Sequence, residues 1–362
     1  MGKVVTFGEI MMRLQTKAGR KFRQSLPGDL EAIFGGAEAN VAASIALMGG
    51  ESAFVSAVPD NAISEACLGA LRGLGVDVSG VVKSKKGRLG IYFAEAGANQ
   101  RPSNVIYDRD YSSIAQESNY KWAEIFKGAS WFHITGITPS LSKTAAEASI
   151  SAVKAAKDAG VTISTDLNFR KKLWRWEEGV DPNSLAAKTM KKLLPYVDVM
   201  IANEEDVGDV LGIKAGNLDC SSGAIDVKKY PDIAKQTAAL FPNIKKIAIT
   251  LRESISATHN NWGAMLYDTA SGKSVFAPQN GGEYKPYQIT DIVDRIGGGD
   301  SFGAGLIYAS LDPDLSKNDA DVLAFAVAAS CLCHSIYGDF NYSSKAEILN
   351  LMKGSTSGRI VR

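Results

Sequence analysis

The chain has 362 residues, of which 45% are hydrophobic, with 40 basic and 39 acidic side chains. That length suits one large α/β core with a small appendage, and the near-cancelling charge argues against nucleic acid or a membrane surface as a main partner. Four cysteines, Cys67, Cys220, Cys331 and Cys333, suit buried reduced thiols better than a disulfide framework, and with no signal peptide or long apolar run a cytoplasmic protein is expected.

In chain order, Lys3 to Glu9 reads as a buried strand, and Gly35 to Leu47 as a glycine turn opening a helix that Gly49 and Gly50 terminate. Ala53 to Ala57 and Trp131 to Thr135 are further strands. Ser142 to Ala159 is an alanine-rich helix stopped by Gly160, and Val161 to Asp166, Val197 to Ala202 and Lys246 to Leu251 continue the strand series. Apolar strands alternating with helices predict a mostly parallel sheet covered on both faces. Met11 to Phe34 and Arg88 to Tyr111 break that rhythm, being polar, aromatic and rich in turn residues. They are expected to form strands of a small lid over the C-terminal edge of the sheet, where open α/β folds bind ligands. Asn217 to Tyr230 reads as an exposed insertion. His133, His259 and His334 have no partners at catalytic or metal spacing, so structural roles are expected for them.

The stretch from Asp291 to Gly305, DIVDRIGGGDSFGAG, places Gly297, Gly298 and Gly299 directly before Asp300 at an apparent helix start. Glycine allows close backbone approach to an anion and turns with positive φ, and the helix start presents N–H groups to it. The dipole there would keep Asp300 ionised and able to accept a proton. A helix cap is the alternative role for the same acid.

Known nucleotide motifs fail on inspection. Gly272-Lys273-Ser274 has Tyr267 where a P-loop needs glycine, and Phe302 stands at the third glycine of a dinucleotide fingerprint. Protein-kinase signatures and the G-x-S-x-G elbow are missing as well.

Asp294 to Gly305 instead resembles the C-terminal signature of ribokinase-like (PfkB) carbohydrate kinases, with Arg295 in place of threonine and Gly298 in place of alanine. Gly35-Gly36-Ala37-Glu38-Ala39-Asn40 is similar to the family's sugar-site motif, in the right order along the chain. The resemblance implies a three-layer α/β/α core with a β-strand lid over residues 1–362, the lid segments being approximately 11–34 and 88–111. It also implies transfer of the γ-phosphoryl group of ATP to a sugar hydroxyl. Asp300 would be the base, and the backbone of Gly297, Gly298, Gly299 and Asp300 would hold the phosphate.

By the same resemblance Asn203 with Asp206, or with the neighbouring Glu205, would position Mg²⁺ through water. Thr250, Arg252, Gly299, Asn203 and Gly338 would border the nucleotide, with Gly338-Asp339 ending the adenine pocket. Gly36, Asn40, Tyr92, Tyr107, Arg109 and Arg170 would meet the sugar, and within the family the likeness is greatest to 2-keto-3-deoxygluconate kinases. Guanidinium groups suit the carboxylate of a sugar acid, and tyrosines its carbon chain. For Arg109 and Arg170 the competing roles are a surface ion pair and a solvated basic turn. Fructokinase activity, or a catalytically silent binding module, are the alternatives. Family analogy adds a monovalent cation, K⁺, near Asp294 and Ile296, and exposed strands of the lid suggest a homodimer through it.

Overall fold

A computed structural model describes residues 2–17, 19–213 and 227–354. Side chains alternate along its strands between two cores. Val4 packs on one face of the Lys3–Phe7 strand and Val5 and Phe7 on the other; Trp131 opposes Phe132 and Ile134, and Ala248 opposes Ile247 and Ile249. A strand apolar on both faces must be covered on both. Helices Lys143–Asp158, Pro182–Leu193, Glu204–Leu211 and Tyr230–Leu240 cover one face. Helices Ala37–Leu47, Gly298–Leu311, Asp319–Cys333 and Lys345–Met352 cover the other. Phe302, fully buried at the start of one of these helices, contributes on the order of 1.5–3 kcal/mol by its transfer from water.

Among the described residues the main sheet has nine strands. Ser52–Val55, Lys3–Phe7, Ala129–Thr135, Thr162–Asp166, Val199–Ala202 and Lys246–Ser256 lie side by side and parallel. His259–Asp268 turns back antiparallel on the last of these and pairs antiparallel with Lys273–Ala277 and Tyr287–Ile289. The mixed, mostly parallel α/β core agrees with the expected fold class. The chain leaves Lys3–Phe7 toward Ser52–Val55 on one side and later returns on the other, so a crevice opens at the carboxyl ends of the parallel strands.

A second sheet of four strands stands beside that crevice, in the order Glu31–Gly35, Met11–Gln15, Gly90–Glu95, Asn104–Asp108. Met11–Gln15 pairs antiparallel with Glu31–Gly35 and parallel with Gly90–Glu95, joining the two segments that lack helical periodicity. Met11, Tyr92 and Ala94 are buried on one of its faces, with Val105 and Ile296 against them.

Most expected boundaries shift by two residues at most, and three segments differ in a way that matters. Lys246–Ser256 runs five residues beyond Leu251, because its hairpin with His259–Asp268 continues past the apolar stretch into polar, partly exposed residues that hydrophobicity cannot separate from a loop. Ala53 to Ala57 divides into Ser52–Val55 in the main sheet and Ala57–Pro59, which leaves it to pair with Val82–Ser84. The expected insertion from Asn217 lies mostly outside the described residues, and its last residue, Tyr230, is buried and opens a helix. Cys220 also lies outside them; Cys67 and Cys333 are buried, Cys331 is partly so, and all three are free thiols. Among the described residues no helix is long and apolar enough to cross a membrane.

Candidate active site

Gly297 is the N-cap of helix Gly298–Leu311 and has φ 88°, in the left-handed region that favours glycine. Space also requires it, since a Cβ there would stand 2.3 Å from the carbonyl oxygen of Asp339. A Cβ on Gly298 would stand 2.8 Å from the His334 ring, whereas one on Gly299 would meet nothing within 4 Å. The three glycines therefore differ. Gly297 and Gly299 border a cavity of about 640 Å³, while Gly298 does not and accepts a hydrogen bond at its carbonyl from Ser330 Oγ. Packing against His334 is enough to explain the missing side chain at Gly298. The helix start still turns its free N–H groups and positive dipole end toward the cavity.

Asp300 lies in the first turn of that helix and borders the same cavity. Its Oδ2 accepts a hydrogen bond of 2.7 Å from Asn40 Nδ2. The helix dipole alone would keep this acid ionised at low pH, but burial dominates. Loss of water pushes it up to about 7; the Asn40 hydrogen bond opposes the rise, Asp339 and Glu38 add to it, and Arg170 also opposes it. A carboxylate with that pKa is poised as a base near neutrality.

Asn40 in turn accepts from the Gly36 N–H at 3.2 Å, closing a link from the Gly35–Asn40 turn to Asp300. Gly36 has an extended backbone, so its lack of a side chain is a matter of room: a Cβ would lie 2.0 Å from the Glu9 carbonyl oxygen. Glu38, buried beneath, accepts from Thr135 N, Thr135 Oγ1 and Thr138 Oγ1. It anchors this helix start to the end of strand Ala129–Thr135.

The second sheet supplies one end of the cavity. Met11, Tyr92, Val105, Tyr107 and Arg109 border it there. Arg109 is not a surface ion pair: it is buried, its Nε donates to Glu9 Oε2 at 2.7 Å, and its guanidinium lies over the Tyr107 ring. The neighbouring acids pair elsewhere, Asp108 with Arg88 and Asp110 with Arg175. Tyr92 is buried and its hydroxyl donates to the Asp339 carboxylate at 2.7 Å. Arg170 borders the cavity from the turn after strand Thr162–Asp166, its Nη1 donating to the Phe169 carbonyl at 3.1 Å.

The floor is acidic. Asp166, at the end of its strand, is pushed well above the usual carboxylate range by burial and then by Asp206 and Asp300, with Arg170 opposing. Asp206 is pushed up to about 7 by burial, against Arg170 and a hydrogen bond from Phe169. These hard oxygen donors, raised by burial and mutual repulsion, fit a Mg²⁺ ion, whose charge would relieve both. Asn203 caps helix Glu204–Leu211, its Oδ1 accepting from Asp206 N at 2.7 Å, and borders the cavity as well.

Thr250, Arg252, Ser254 and Trp262 border the far end from the long hairpin, with Arg295 beside them. Arg295 donates to Asn260 Oδ1 at 2.6 Å and is lowered by burial and by Arg252. Two guanidinium groups that repel across one wall suit a polyanion such as a nucleotide's phosphates. Gly338 does not border the cavity. Its N–H donates to Asp294 Oδ2 and a Cβ would lie against Ile33, so the Gly338-Asp339 turn joins the second sheet to the anion turn, with Asp339 on the cavity wall. Sequence reasoning missed Glu9, Asp166 and Arg295; Asp166 had a signal, an acid ending an apolar strand, whereas Glu9 acquires its partner only through the fold.

Residues 1–343 match the family described as pfkB family carbohydrate kinase. A 2-dehydro-3-deoxygalactonokinase from Haloferax volcanii is 30% identical over 98% of both chains. The crystal structure of a 2-dehydro-3-deoxygluconokinase from Thermotoga maritima superposes with a TM-score of 0.87 at 42% identity, covering 98% of this chain and 100% of that one. A PfkB family carbohydrate kinase from Listeria grayi superposes with a TM-score of 0.83 at 32% identity, over 97% of this chain and 99% of that one.

Proposed function

The chain belongs to the pfkB family of carbohydrate kinases, and from that premise we propose that it phosphorylates 2-keto-3-deoxygluconate at its primary 6-hydroxyl with ATP. The observation that carries this reading is the company Asp300 keeps: one cavity is lined by it together with Arg170, Arg109, Tyr92, Tyr107, Arg252 and Thr250. The similarity to the Thermotoga gluconokinase supports the same substrate.

In this proposal Asp300 takes the proton of the acceptor hydroxyl as its oxygen attacks the γ-phosphorus and the bond to the ADP oxygen breaks. Backbone N–H groups from Gly297 to Asp300 hold the transferring phosphoryl group, and Asn40 fixes the rotamer of the base. Arg170 binds the sugar carboxylate; Arg109, neutralised by Glu9, orients the chain with Tyr92 and Tyr107. Mg²⁺ bound near Asp166 and Asp206, with Asn203, would offset charge on the phosphate oxygens. The second sheet acts as a lid that keeps water from the γ-phosphate.

A coupled assay of ATP consumption across keto-deoxy sugar acids, neutral ketoses and nucleosides tests the substrate class. Anionic keto-deoxy sugars should be preferred, and Arg170→Ala should erase most of that preference, on the order of a hundredfold in kcat/KM, while leaving the KM for ATP near that of the parent. Equal turnover of fructose and sugar acids, or indifference to the Arg170 change, would favour a ketose kinase instead.

A further inference from the structure

The resemblance implies a monovalent cation beside Asp294 and Ile296, and the residues there do not fit one. Both oxygens of the Asp294 carboxylate are engaged: Oδ2 accepts from Arg13 Nη2 at 2.6 Å and from Gly338 N at 3.2 Å, and Oδ1 from Ile296 N at 3.1 Å. The nearby His334 carbonyl accepts from the N–H groups of Val293 at 2.9 Å and Asp294 at 3.4 Å. A guanidinium already stands against the carboxylate, and a second cation brought to the same oxygens would be repelled by it.

Arg13 is buried and does not border the cavity, so it is not placed to read the substrate. Its Nη1 donates to Asp339 Oδ1 at 2.9 Å, and Asp339 also accepts from Tyr92, the register partner of Arg13 in the adjacent strand. One side chain thereby joins the second sheet, the loop entering the anion helix and the C-terminal turn that presses on Gly297. Breaking a buried, hydrogen-bonded pair of this kind by removing one partner leaves an uncompensated charge.

We propose that Arg13 is a built-in cation: its guanidinium takes the place at Asp294 that the resemblance gives to a monovalent ion, holds the Asp294–Gly299 turn in its anion-binding shape, and makes turnover independent of potassium. The proposal rests on the role of that turn given under the proposed function. Arg13 is a positioning residue, acting through Asp294 and Asp339.

The test compares potassium chloride with choline chloride at constant ionic strength and saturating Mg²⁺, reading initial rates with the best acceptor of the panel and thermal midpoints without substrate. Wild-type rates should agree within about twofold and midpoints should coincide in the two salts. Arg13→Met should lose roughly a hundredfold in choline, and potassium should restore part of the rate and raise the midpoint. Arg13→Lys, which keeps the charge, should stay insensitive to potassium. Several-fold activation of the wild type by potassium, or a midpoint raised by it, overturns the proposal, as does full activity of folded Arg13→Met in choline. A wild-type chain that turned over no sugar would fail the proposed function instead, and the midpoint comparison would still decide the role of Arg13.

Discussion

Asp300 shows how far local sequence carries an argument about one residue. Three glycines and a helix start single out the acid, and the dipole there suggests ready ionisation, while the fold surrounds it with Glu38, Asp339 and little water, pushing it up to about 7. Its base form therefore accumulates as pH rises, and turnover limited by phosphoryl transfer should climb about tenfold per pH unit below about pH 7 and level off above it. The Asn40 hydrogen bond favours the charged form, so Asn40→Ala should move the inflection to higher pH, and Asp300→Asn should lower kcat by about a thousandfold while sparing ATP binding. Rate profiles of the three proteins measure this; an inflection that stays put in Asn40→Ala would remove Asn40 from the account. Arg109 taught the opposite lesson. Its resemblance to a sugar contact competed with a surface pair to its sequence neighbours, and only the approach of Glu9, a hundred positions away, makes it a buried wall of the cavity.

At the scale of elements, the parallel strands and their helices were legible because each apolar run is bounded by caps or glycines: Ser142 accepts from Ala145 N, and Gly160 has φ 72° after the same helix. The polar half of Lys246–Ser256 and the pairing of the second sheet were harder to read, since strands with one exposed face depend on partners distant in sequence. The glycine turn separates two jobs that look alike in sequence. Gly297→Ala meets a backbone carbonyl and a positive φ, a strain of about 1–3 kcal/mol before any repacking, so its thermal midpoint should fall. Gly299→Ala enters open space in a helix, where alanine gains roughly 0.5–1 kcal/mol, so its midpoint should hold or rise while the KM for ATP increases. Thermal melts beside initial-rate kinetics check the pair, and equal losses of stability in both would contradict it.

For the whole molecule, the second sheet stands at one end of the cavity and leaves strand Asn104–Asp108 at its edge, with Ile106 50% and Tyr111 79% exposed nearby. An edge strand with apolar side chains in water is a pairing surface. We expect a homodimer through it: light scattering should give twice the chain mass at micromolar concentration, and Ile106→Lys should shift it toward the monomer. A wild-type monomer under those conditions would refute this arrangement.

Asp339 gives the molecule a further property. Gly35 and Gly297 both press against it, and Arg13 and Tyr92 both bond to it, so three segments from the first 92 residues and the turn at Gly297 meet at one residue late in the chain. A polypeptide still emerging from the ribosome, released only as far as Ser330, would already carry every glycine motif and Asp300 without the piece that brings them into register. Catalytic competence should therefore appear abruptly in biosynthesis, once Asp339 has left the exit tunnel, rather than growing with chain length.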